Sequence, residues 1–209
     1  LLALTCIFTP IVLRTTCQMK LIQHRVNTTE QLKLVSHEYG IEVDLRATGT
    51  DIILHHDPFV EGERFEDFLG HYAHAYIILN TKEEGMEVRL IQLMQQFGIE
   101  NYFFLDLSLP FLVKTVKQGC NRIAIRFSEY EPLAFVAKFQ GLVQWVWVDC
   151  FSANILSPDA YQYLKAHFKI CIVSPELQGH PTAWINNFKE AFRGFEIDAV
   201  CTKKPELWK

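Results

Sequence analysis

Eight short apolar runs, separated by segments of helical character, constrain this chain more than any other feature of its sequence. The runs are KLIQ (20–23), IEVDLR (41–46), AYIILN (75–80), YFFLDL (102–107), RIAIRFS (122–128), WVWVDCF (145–151), KICIVS (169–174) and IDAVCT (197–202). Nearly all are continuously apolar rather than alternating, as strands buried on both faces must be. Helical patterning intervenes, for example in 83–97, where Met86, Val88, Leu90, Leu93 and Met94 recur at helical spacing. Strand and helix in regular succession predict an α/β fold with a parallel sheet, and eight such units predict a compact (β/α)8 TIM barrel.

Local signals refine this outline. Asn27 or Thr28 can cap a helix over 29–39 that Gly40 terminates. After the Thr48-Gly49-Thr50 turn, DIILHH (51–56) reads as a hairpin arm, and a short helix is expected over 64–69. Pro110 falls in the first turn of a helix, where its missing N–H matters least. Further helices are expected at 157–167 and 182–192. No repeat, low-complexity tract or linker divides the chain, so 19–209 is expected to be one barrel domain.

The leading segment, 1–18, is read separately. LLALTCIFTPIVL is apolar but shorter than a bilayer span and interrupted by Pro10, so no stable membrane insertion is expected. It lacks a basic n-region and a small-residue cleavage site, and the native chain is expected to start at Met19. The alternative is an amphipathic arm packed on the domain.

A net charge of -4 gives no electrostatic footprint for nucleic acid. Cys6, Cys17, Cys120, Cys150, Cys171 and Cys201 include no CxxC pair and are expected to be reduced, which suits a cytoplasmic protein.

In a barrel of this kind, chemistry gathers at the C-terminal ends of the strands. Those ends carry His24 and Arg25, Glu42 and Asp44, His55, His56 and Asp57, Asn80 and Lys82, with Asp106, Arg126, Asp149 and Glu176 further along. Glu42 and Asp44 are two apart on a strand and share one face. A Glu-x-Asp pair commonly marks a solvated face, and His24 alone could be a core histidine. The order His24, Glu42 and Asp44, then His56-Asp57 argues for a site, because so many ionisable groups on one rim are costly without a charged ligand. Lys82 could also be a first-turn surface lysine. His71 and His74 read as exposed, and Trp145, Trp147 and Phe151 as core.

These residues resemble the opening signature of the glycerophosphodiester phosphodiesterase family, of the phospholipase-C-like phosphodiesterase barrels. The family's HRG, ENT, Glu-x-Asp, HD, Glu-x-Lys and TD-x-P elements become His24-Arg25-Val26, Asn27-Thr28, Glu42-Val43-Asp44, His56-Asp57, Asn80-Thr81-Lys82 and Thr202-Lys203-Lys204-Pro205. The resemblance spans 19–205 and is specific in its first third. It implies a hydrolase of lipid metabolism that cleaves a small alcohol or sugar phosphodiester. His24 and His56 would be the acid/base pair, Arg25 and Lys82 would hold the phosphate, and Glu42, Asp44 and Asn80 would hold one divalent cation, Mg²⁺ or Ca²⁺.

Three departures stand out. Asn80 replaces an acidic ligand, which lowers the expected metal affinity unless Asp106 or Glu176 supplies a carboxylate. Val26 replaces a glycine. The insertion after the second strand is cut to 58–75. These departures keep two alternatives open, a phosphate-ester-binding barrel with weakened turnover and a lyase that releases a cyclic phosphate.

Overall fold

The computed structural model describes residues 18–209. The expectations for 1–18 therefore lie, Gln18 apart, outside the described residues. The chain runs β1 (Lys20–Gln23), α1 (Thr29–Leu34), β2 (Gly40–Thr48), β3 (Asp51–Leu54), β4 (Glu63–Arg64), α2 (Phe65–Leu69), β5 (Tyr76–Thr81) and α3 (Glu87–Gln96). It continues through β6 (Tyr102–Leu105), α4 (Leu109–Lys117), β7 (Ala124–Phe127), α5 (Leu133–Val136), β8 (Trp145–Val148), α6 (Pro158–His167), β9 (Lys169–Val173), α7 (Trp184–Ala191) and β10 (Ala199–Thr202).

Each of the eight apolar runs contains a strand, and the strands pair in parallel in the order β6-β5-β2-β1-β10-β9-β8-β7. β3 pairs antiparallel with β2, and β4 with β3, forming a side ribbon. This is the α/β barrel arrangement expected from the alternation. No ladder closes the ring between β6 and β7, where the strands meet in the isolated bridge Phe104↔Ile123.

The alternation of side chains sorts the apolar residues into two layers. Ile41, Val43, Leu45, Ile77 and Leu79 face outward and pack with the helices. Ile22, Tyr76, Ile78, Phe103, Trp145, Trp147, Cys171 and Cys201 fill the barrel interior. At its base, Phe103 and Trp145 lie with ring centroids 4.7 Å apart and Tyr76 stands edge-on to Trp145 at 5.7 Å. Such pairs add about 0.5–1.5 kcal/mol each beyond their buried area. This dry floor supports the polar layer above it.

Several local expectations are corrected. α1 stops at Leu34 because Val35 is extended, and Gly40 opens β2 rather than ending a helix. A Cβ at Gly40 would lie 2.4 Å from Ile22 Cδ1 and 2.9 Å from Tyr76, so glycine lets three strands approach at the barrel base. Phe151 lies past the end of β8 on the surface and contacts the exposed Tyr130, whereas Trp145 and Trp147 are core as expected. His74 is buried and its Nε2 bonds to Val35 O at 3.0 Å, while His71 is exposed. Cys120, Cys150, Cys171 and Cys201 are free thiols, the last three buried.

Candidate active site

Glu42 and Asp44 rise from the inner face of β2 at the C-terminal mouth of the barrel, and both are buried. Their neighbours are set by strand register. Asp44 stands opposite Asn80 of β5 and Glu42 opposite Ile78, one step lower. Asn80 Nδ2 donates to Glu42 Oε1 at 2.8 Å, while Asn80 Oδ1 is buried and accepts no hydrogen bond.

β1 delivers the second wall. Arg25 adopts a left-handed backbone (φ 56°), unusual for a residue with a side chain, and this turn aims its N–H at Glu42 Oε2, 2.8 Å away. Such a conformation costs about 1–3 kcal/mol and is held by its surroundings. The Arg25 side chain folds back so that Nε lies 3.3 Å from Asp44 Oδ2. His24 Nε2 lies 3.7 Å from Glu42 Oε2, and its buried Nδ1 has no hydrogen-bond partner.

Lys82 follows β5 and places Nζ 3.2 Å from Asp44 Oδ1 and 3.7 Å from Asp106. The contact with Asp44 is an ion pair without hydrogen-bond geometry, so Oδ1 keeps its lone pairs. Asp106, at the end of β6, also has a left-handed backbone (φ 61°) and pairs with Arg126, which pairs in turn with the buried Asp149. Alternating charges thus cross the mouth from Arg25 to Asp149.

Burial sets the protonation of the two central groups. Desolvation, with the neighbouring Asp44 charge, pushes the Glu42 carboxyl up to about 7. His24 is lowered to about 4, first by desolvation and then by the Arg25 charge, so it is neutral at pH 7.

Six of the seven residues singled out from sequence converge: His24, Arg25, Glu42, Asp44, Asn80 and Lys82. His56 stands beside them. The His55 N–H donates to Asp44 O at 3.1 Å, which brings the hairpin end to the mouth. His56 Nδ1 bonds to Asp57 Oδ1 at 2.8 Å, and this bond is the main reason the Asp57 carboxyl titrates below its usual range. Among the described residues, no hydrogen bond or ion pair joins His56 to the other six.

Two positioning residues lie outside the seven singled out from sequence. Asn27 clamps Asp44 from both sides, donating Nδ2 to Oδ2 and accepting the Asp44 N–H, both at 2.9 Å. Its signal was the Asn-Thr pair just after His24-Arg25. Arg46 holds the His56 carbonyl through Nε and Nη2 at 3.1 and 2.9 Å and pairs with Glu83. Nothing in the local sequence marks that role.

Asp44 Oδ1 and Asn80 Oδ1 are buried and accept no hydrogen bond, and the buried Glu42 carboxylate lies next to Asn80. Oxygen donors of this kind suit a hard divalent cation. Among the described residues, no three His, Cys, Asp or Glu side chains gather into a metal-holding group. Asp106 is engaged by Lys82 and Arg126, and Glu176 accepts from Thr202 Oγ1, Ser174 Oγ and the Lys203 N–H. Among the described residues, no hydrogen bond or ion pair joins either carboxylate to Glu42.

No sequence model of a protein family matches the chain, and no curated protein sequence does. Solved structures do. A glycerophosphodiester phosphodiesterase from Agrobacterium tumefaciens superposes with a TM-score of 0.65 at 12% identity, covering 91% of this chain and 98% of that one. A glycerophosphoryl diester phosphodiesterase from Parabacteroides distasonis gives 0.64 at 14% identity, covering 90% and 84%. The glycerophosphodiester phosphodiesterase from Thermotoga maritima gives 0.63 at 17% identity, covering 91% and 96%. The likeness extends over almost the whole domain and is one of fold: this chain is built on the barrel architecture of these glycerophosphodiester phosphodiesterases.

Proposed function

We propose that this protein is a phosphoric diester hydrolase acting on a small alcohol or sugar phosphodiester with one divalent cation, Mg²⁺ or Ca²⁺. The observation that carries this reading is the convergence of Glu42, Asp44 and Asn80 with His24, Arg25 and Lys82 at the mouth of the barrel. The fold of the similar phosphodiesterases supports it.

Arg25 and Lys82 hold the phosphate, their charges now shared with Asp44. His24, neutral at pH 7, takes the proton of the attacking hydroxyl, which is either water or a hydroxyl of the substrate. His56, with Nδ1 committed to Asp57, gives a proton from Nε2 to the leaving oxygen. Glu42, Asp44 and the Asn80 carbonyl hold the cation, which when bound polarises the phosphoryl oxygens. Among the described residues, no helix is long and apolar enough to cross a membrane.

The test is hydrolysis of glycerophosphocholine and of bis(p-nitrophenyl) phosphate, with and without EDTA. His24→Ala and His56→Ala should each lower kcat by about 10²-fold or more, and Glu42→Gln should abolish the response to cation. Equal rates in all variants would overturn the assignment. Phosphorus NMR of the products separates hydrolysis from release of a cyclic phosphate.

A second reading, a phosphate-ester-binding barrel with little turnover, is favoured by the Asn80 amide occupying Glu42 Oε1. It predicts binding of phosphate esters without cation and without hydrolysis.

A further inference from the structure

Lys82 stands between two carboxylates, with Nζ 3.2 Å from Asp44 Oδ1 and 3.7 Å from Asp106 Oδ2. The two are not equivalent. Asp44 Oδ2 is held by Asn27 Nδ2 at 2.9 Å and by Arg25 Nε at 3.3 Å, whereas Oδ1 is buried and accepts no hydrogen bond. Oδ1 is therefore the oxygen that Asp44 can give to a cation, and it is the one the Lys82 ammonium faces. A divalent cation and an ammonium beside the same oxygen are like charges a few ångströms apart, so binding one drives the other away.

The far side of Lys82 is arranged to receive that ammonium. Arg126 pairs with Asp106 Oδ1, which leaves Oδ2 to Lys82. Asp106 is held there in its left-handed backbone (φ 61°). Lys82 also lines a cavity of about 230 Å³ with Asp106, Leu107 and Ser108, and none of His24, Arg25, Glu42, Asp44 or Asn80 lines it. The free space beside Lys82 thus lies on the Asp106 side. Ser108 Oγ is buried and has no hydrogen-bond partner, so it offers a second acceptor near Asp106. The Lys82 N–H donates to Leu45 O at 2.9 Å, so the backbone is pinned and only the side chain has to swing.

We propose that Lys82 is the counter-ion that competes with a divalent cation for Asp44, and that Asp106 is the positioning residue that receives it. Binding of the cation moves the ammonium from Asp44 to Asp106. This rests on the reading of Asp44, with Glu42 and Asn80, as a cation ligand. Asp106 then sets cation affinity without touching the cation, because it determines how readily Lys82 leaves.

Calorimetric titration with Mg²⁺ and with Ca²⁺ of the unaltered protein, Lys82→Met, Asp106→Asn and the double variant tests the proposal without requiring turnover. Lys82→Met keeps the apolar stem and removes the competitor, so affinity should rise on the order of tenfold. Asp106→Asn keeps a residue type that tolerates the left-handed backbone and should lower affinity on the order of tenfold. In the Lys82→Met background the Asp106→Asn loss should shrink to about twofold or less, because no ammonium remains to be received. Equal losses in both backgrounds would mean that Asp106 acts on the cation through space, and overturn the proposal. A Lys82→Met variant whose affinity is unchanged or lowered overturns it too, and Lys82→Gln gives the same readout if the methionine variant does not fold. If none of the four proteins binds either cation, the cation reading falls and the proposal with it. Cation binding without the coupling between positions 82 and 106 overturns the proposal alone.

Discussion

Asn80 donates its amide N–H to Glu42 at 2.8 Å and leaves its own buried carbonyl oxygen unbonded. One side chain thus stabilises a costly carboxylate and keeps a buried oxygen free to accept a further partner. A carboxylate at position 80 could do only the second.

Asn80→Asp separates these roles. Without cation, the variant loses a donor to Glu42 and gains a like charge beside two buried carboxylates, a loss of about 2–4 kcal/mol by urea denaturation. With Mg²⁺ or Ca²⁺, affinity by calorimetry should rise about tenfold or more, and the lost stability should return. Unchanged cation affinity would show that residue 80 does not face the cation.

The stability of the chelator-treated protein should depend on pH through two opposed groups. Glu42 is raised in the folded state from 4.5 to about 7, so the folded state holds the extra proton and stability falls as pH rises from 4.5 to 7. His24 is lowered from 6.5 to about 4, so its contribution is complete above 6.5 and is lost as pH falls toward 4. Over the shared window, pH 4.5–6.5, the two cancel. His24→Ala should unmask a decline on the order of 3 kcal/mol between pH 4.5 and 7. A flat profile in that variant would rule out a raised Glu42.

Arg126→Leu removes the ion-pair partner that the buried Asp149 has among the described residues and one of two such partners of Asp106. Leaving buried charge unpaired should cost about 3–5 kcal/mol. The double variant Arg126→Leu with Asp149→Asn should recover part of it. Chemical denaturation of both variants measures the difference, and a cost below about 1 kcal/mol would show that the cluster is solvated.

Gly40→Ala should destabilise by about 1–3 kcal/mol through overpacking, because the new Cβ would meet Ile22 Cδ1, Tyr76 Cβ and the Tyr76 carbonyl oxygen. Ile22→Val in the same chain should relieve the side-chain part of the clash and leave the backbone part. Thermal melts of the single and double variants show whether the site's floor tolerates a wider spacing of β1, β2 and β5.

The eight strands and their parallel order were legible because burial on both faces writes itself into each run locally. The sharing of one face by Glu42 and Asp44 follows from a period of two, which needs no partner to be read. The end of α1, the place of Gly40 and the burial of His74 were not legible. Each depends on what another segment brings alongside, namely Ile22 and Tyr76 around Gly40 and the Val35 carbonyl against His74.

The site divides in the same way. Sequence alone determined which strand ends carry ionisable groups and which residue types they are. Only the tertiary structure decided that Asn80 donates to Glu42, that Arg25 turns left-handed to reach it, that Asn27 clamps Asp44, and that Arg126 gathers Asp106 and Asp149. These contacts join residues 17 to 38 positions apart. Their geometry is fixed by how neighbouring strands register around the ring, and the seam between β6 and β7 exists only where that register fails to continue.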